Sequence, residues 1–163
     1  MRIITIILLL TLFTCKKSIS PEKEVTIEQT ENQNSAEKIA LDFINKYVEY
    51  CNNRNSEQGL IEWISEQQNV TENFKIELKR IISEAEKKEP ELGLGFDPIF
   101  DAQDYPDDGF ETEKFNKHSE LVTVKAKNWS DYKLNIKMER KNEQWLVNGI
   151  GIINMSEKER IKR

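Results

Sequence analysis

The hydrophobic period of this chain changes once, near Pro90, and that change restricts the fold more than any other feature of the sequence. Ahead of it, apolar residues recur three and four apart. Ala36, Ile39, Ala40, Phe43, Ile44, Tyr47, Val48 and Cys51 share one stripe of a helix that Ser35 can cap and Asn52–Asn55 ends. Ser56 is placed to cap a shorter helix with Leu60, Trp63 and Ile64 inward. Thr71 is placed to cap a third, with Phe74, Leu78, Ile81, Ile82 and Ala85 on its face and Lys87-Lys88 at the end where positive charge suits the dipole.

Beyond Pro90 the period is two. Val122, Val124 and Ala126 alternate with Thr123, Lys125 and Lys127, and Leu134, Ile136 and Met138 with Lys133, Asn135 and Lys137. Phe110 to Lys117 has the pattern of an earlier, weaker strand. Gln144 to Ile153 is more continuously apolar, as a central strand would be. The links Asn128–Asp131 and Lys141–Glu143 are short and polar, which suits hairpins. Helices followed by an antiparallel sheet of about four strands, apolar on one face, predict an α+β domain with the helices packed on that face.

The N-terminus has a separate logic. Arg2 precedes an apolar run from Ile3 to Phe13, too short to span a bilayer and suited to a signal peptide. The run ends in Leu12-Phe13-Thr14-Cys15, which resembles the lipobox of bacterial lipoproteins: Leu three residues before a cysteine, a small residue just before it, and a thiol to accept diacylglycerol. By that resemblance residues 1–14 are removed and Cys15 carries the lipid. Lys16, where some lineages place Asp, implies the outer membrane by resemblance to enterobacterial sorting. Residues 15–34, rich in Glu, Gln, Asn and Thr around Pro21, form a tether. One domain follows at 35–155, and 156–163 is a charged tail. With Cys15 lipidated, Cys51 has no disulfide partner and its place on the apolar stripe marks it as a small buried hydrophobe. The net charge of −5, without a basic cluster, argues against a nucleic-acid partner.

Two segments are distinctive: Phe96-Asp97-Pro98-Ile99-Phe100-Asp101-Ala102-Gln103-Asp104-Tyr105-Pro106, and Trp145-Leu146-Val147-Asn148-Gly149-Ile150-Gly151-Ile152-Ile153-Asn154. With the first amphipathic helix they resemble the bacterial secreted and lipoprotein family catalogued as domain of unknown function 3828, over roughly residues 36–154. That family resembles the cone folds of the nuclear transport factor 2, SnoaL and cystatin type, in which a long helix and a curved sheet enclose a pocket. The resemblance implies a fold and no activity.

Asp97, Asp101, Asp104, Asp107 and Asp108, with Tyr105, make the linking segment the candidate binding loop, and Glu111 and Glu113 follow it. Such oxygen donors suit calcium, but no EF-hand spacing is present, and turn-capping by the aspartates is the simpler reading. His118 falls at a turn, with no nucleophile motif around it. No cofactor or metal is implied. Trp63, Trp129 and Trp145, with Tyr47, Tyr105 and Tyr132, either line a cone pocket or fill the core. The expectation is a non-catalytic domain, anchored to the membrane through Cys15, that binds another envelope protein or a small ligand. The alternatives are a cone-fold hydrolase or isomerase that pairs Asp97 or Asp104 with Tyr105, and an immunity protein against a periplasmic toxin.

Overall fold

A computed structural model of the protein describes residues 35–53 and 58–162. The signal peptide, Cys15, the tether up to residue 34, and Ser56 lie outside the described residues.

Helix α1 spans Ala36–Asn52 and starts where the sequence predicts: the Ser35 hydroxyl accepts from the Lys38 N–H at 3.2 Å. Its buried stripe is Ala36, Ala40, Phe43, Ile44, Tyr47 and Val48. Helix α2 (Leu60–Glu66) departs from the prediction. Its N-cap is Gly59, in extended conformation and without a side-chain cap, rather than Ser56. The helix begins where its side chains meet the core, Leu60 and Trp63 packing against it and Ile64 lying inside it. Helix α3 (Glu72–Lys88) is capped by Thr71, whose hydroxyl accepts from the Phe74 N–H at 3.1 Å, and it stops two residues before Pro90.

Strands β1 (Phe110–Asn116), β2 (Leu121–Ala126), β3 (Lys133–Lys141) and β4 (Gln144–Ile150) form one antiparallel sheet in the order β1-β2-β3-β4. Val122 faces Ile136 and Val124 faces Leu134, so the apolar set of each strand reaches the same side. Irregularities at Thr112/Lys114 and Lys137/Met138 break the register and curve the sheet. Asn142 and Glu143 both have positive φ, as a two-residue hairpin loop requires.

β4 corrects one expectation. It is an edge strand, not a central one, and it ends at Ile150. Gly151 (φ +57°) then turns the chain so that the Ile153 N–H bonds the Ile150 carbonyl at 2.9 Å. Its apolar character comes from other covering. Val70 lies alongside Val147 in a parallel bridge, with Thr71 N–H to Val147 O at 3.0 Å and Val147 N–H to Asn69 O at 2.8 Å, so the outer edge is not bare.

The helices lie on the inner face of the sheet, with the rings of Phe43 and Phe74 in edge contact at 6.0 Å and Tyr47 against Phe100 at 4.9 Å. Residues 156–160 lie on the other face of β3. Asn135 donates to the Glu159 carbonyl at 2.7 Å, Lys137 pairs with the Glu159 carboxylate at 2.7 Å, and Arg160 reaches Asp101 at 3.4 Å. Among the described residues, no helix is long and apolar enough to cross a membrane.

Candidate functional site

The acidic segment that the sequence presents as one loop is divided in two by the fold. Its first part belongs to the core: Ile99 and Phe100 are 0 % exposed. Asp97 turns the chain there. Its Oδ1 accepts from the N–H groups of Ile99 and Phe100, both at 2.8 Å, and its Oδ2 accepts from the Tyr47 hydroxyl on α1. Burial raises the Asp97 carboxyl above the usual carboxylate range, against the lowering effect of these three donors. Burial, then the neighbouring Asp97 charge, raises the Tyr47 hydroxyl, and the same causes in the same order push the Cys51 thiol up to about 12. Tyr47 and Asp97 therefore form a part-buried structural latch, Cys51 is half-buried rather than fully enclosed, and Asp97 is not part of an exposed binding loop.

The second part reaches the surface. α1 ends in Asn52, whose side chain accepts from the Tyr105 hydroxyl at 3.0 Å and donates to the Asp107 carbonyl at 2.9 Å. About two helical turns back along α1, Asn45 accepts from the Phe110 N–H at 2.8 Å and donates to the Phe110 carbonyl at 3.1 Å. Gly109 (φ +80°) passes so close to Asn45 that a Cβ there would lie 2.5 Å from its oxygen. The turn after Tyr105 is thus fixed to α1 and to the start of β1.

The β2–β3 connection faces this turn. Asn128 donates to the Asp108 carboxylate, and the Lys127 N–H bonds the Gly109 carbonyl at 3.0 Å. Tyr132 is buried and donates to the Phe100 carbonyl at 2.9 Å, while Tyr105 stacks on Phe100 at 4.9 Å. Trp129, 5.1 Å from the Tyr132 ring, stays 47 % exposed. Two grooves flank it. One, of about 630 Å³, runs along Tyr105–Asp108 and Asn128. The other, of about 430 Å³, is bordered by Asp101, Asp131 and Tyr132. Gln103, Asp104 and Trp129 line both.

Of the candidate loop residues, Asp101, Asp104, Tyr105, Asp107 and Asp108 therefore border the grooves, with Asp101 held against Arg160. Asn128 and Asp131, which the sequence presents only as a hairpin link, complete the site. The signal for them is Trp129 itself, an indole placed in a polar turn.

The six aromatic side chains do not share one cavity. Trp145 meets Phe115 at 5.7 Å and Arg140 at 5.8 Å, whereas Trp63 packs against Tyr47 and Tyr50. Of the two carboxylates offered for a couple with Tyr105, Asp97 bonds Tyr47 instead, while Asp104 lines the larger groove together with Tyr105. Among the described residues, no group of three or more His, Cys, Asp or Glu could hold a metal ion. His118 is exposed in the β1–β2 turn, its N–H donating to the Asn116 side chain at 3.1 Å.

No family model matches the chain, and no curated protein matches it. Among solved structures it is similar to a protein of unknown function from Bacteroides thetaiotaomicron VPI-5482, at 17 % identity and a TM-score of 0.40, over 79 % of this chain and 98 % of that one.

Proposed function

We propose that the chain is a lipoprotein of the bacterial cell envelope, related to the domain of unknown function 3828 family, whose domain is a non-catalytic interaction module. In this reading Cys15 carries the lipid, residues 16–34 hold the domain off an outer membrane on its periplasmic side, and the grooves beside Trp129 receive an envelope protein. The observation that carries the reading is the position of those grooves relative to the tether. The tether joins at Ser35, the N-cap of α1, and the groove wall is fastened to Asn52, its last residue. A helix of 17 residues places these points about 25 Å apart, so the groove lies at the end of α1 away from the attachment. A tether at one end and an accessible aromatic groove at the other suit a domain that reaches for a partner.

Replacing Cys15 with Ala in the full precursor tests the anchor. The variant is expected in the soluble extract with an unchanged melting temperature. If it stays in the membrane fraction, the anchor is wrong.

A further inference from the structure

We propose that the two grooves form one docking surface for an extended cationic peptide segment, with an Arg or Lys side chain of the partner stacked on the face of Trp129. This rests on the interaction reading above and specifies the chemistry of the partner.

The exposed indole carries the inference. Tyr132, its neighbour in the same turn, is buried, yet the Trp129 ring remains half in solvent between two open grooves. An exposed indole lining a groove can serve as a stacking platform, and its quadrupole favours a cation over the ring. The surroundings set the same sign. Asp104 lines both grooves, Asp107 and Asp108 the larger, and Asp101 and Asp131 the smaller. Among the described residues that line them there is no Lys, Arg or His. Arg160, 3.4 Å from Asp101, and Lys127, beside Gly109, stand at the margins. Neither enters the grooves.

The shape favours a peptide over a small ammonium ion. The grooves meet at Gln103, Asp104 and Trp129, so a ligand crossing the indole occupies both, and each volume lies in the range of ordinary ligand sites. A planar guanidinium matches both the ring and a carboxylate partner, so arginine is preferred to lysine.

The test titrates fluorescein-labelled hexa-arginine into the full lipoprotein, held in neutral phosphatidylcholine nanodiscs at physiological salt, and follows anisotropy. Trp129→Leu keeps apolar bulk and net charge but removes the ring, and is expected to weaken binding fivefold or more. Trp129→Phe is expected to bind more tightly than Trp129→Leu. Independently of any variant, amide shifts of the labelled chain on adding hexa-arginine should centre on residues 101–108 and 128–132. The proposal is overturned by absence of binding, by a smaller loss in Trp129→Leu, by Phe no better than Leu, or by shifts centred elsewhere. A partner captured at Gln103 in cells, without hexa-arginine binding, would overturn the cationic ligand and leave the interaction function standing.

Discussion

The Tyr47 hydroxyl donates to the Asp97 carboxylate across fifty residues of chain, and the other oxygen of that carboxylate takes the N–H groups of Ile99 and Phe100. One side chain therefore ties the linking segment to α1 and sets the direction in which Gln103 to Asp108 leave the core. Replacing Asp97 with Ala strands three buried donors and should cost about 2–4 kcal/mol in urea unfolding. Asn keeps an acceptor for the backbone pair and removes a buried charge, so Asp97→Asn should lie within about 1 kcal/mol of the native protein. Equal losses for Ala and Asn would contradict the latch.

The pH dependence of stability should contain two opposed contributions. Burial raises Asp97 above its ordinary 3.8, so its contribution is complete below that pH and is lost as pH rises through the raised folded value. Glu159 is lowered from 4.5 to about 2, first by its bond to Lys137 and then by the Ser156 N–H. Its contribution is present above pH 4.5 and is lost as pH falls toward 2. Urea midpoints across this range should show Asp97→Asn flattening the decline toward neutral pH and Glu159→Gln flattening the acid loss. The same change in both variants would contradict these assignments.

Cys51 should be a poor nucleophile. With its thiol pushed up to about 12 by burial and by the Asp97 charge, roughly one molecule in ten thousand carries a thiolate at pH 8. In a Cys15→Ala chain, where Cys51 is the one remaining cysteine, an aromatic disulfide reagent should react far more slowly with native than with urea-unfolded protein. Equal rates would show that the thiol is open.

Two glycines separate strain from collision. A Cβ at Gly151 would lie 2.2 Å from the Pro98 carbonyl oxygen and 2.5 Å from that of Ile99, so Gly151→Ala should cost about 3 kcal/mol or more. Gly93 has a similar positive φ but nothing within 4 Å, and Gly93→Ala should cost about 1 kcal/mol. Thermal unfolding of the two variants provides the comparison.

The caps and the alternation were legible in the sequence because each is local. Ser35 and Thr71 begin their helices as their spacing predicts, and Val122, Val124, Leu134 and Ile136 share the face that period two assigns them. The expectation for β4 fails because an apolar strand can be covered by a loop as well as by neighbouring strands, and the Val70 segment that does so is 77 residues away. The acidic run looks uniform for a similar reason. Only the fold shows that Asp97 answers to Tyr47 while Asp104 faces solvent. Trp129, an indole in a polar turn, marked its link as a candidate, but the groove it shares with Asp131 forms only where that turn meets residues 101–104.

The surface beside Trp129, at the end of α1 away from Ser35, is our proposed place for a partner to bind. A photo-crosslinking residue in place of Gln103, in the intact lipoprotein in cells, reads this directly, with the same residue in place of exposed Lys79 on α3 as the reference position. A discrete adduct is expected in the membrane fraction from position 103, lost on Trp129→Leu and absent from position 79. No adduct from position 103, or one equally strong from position 79, would contradict it.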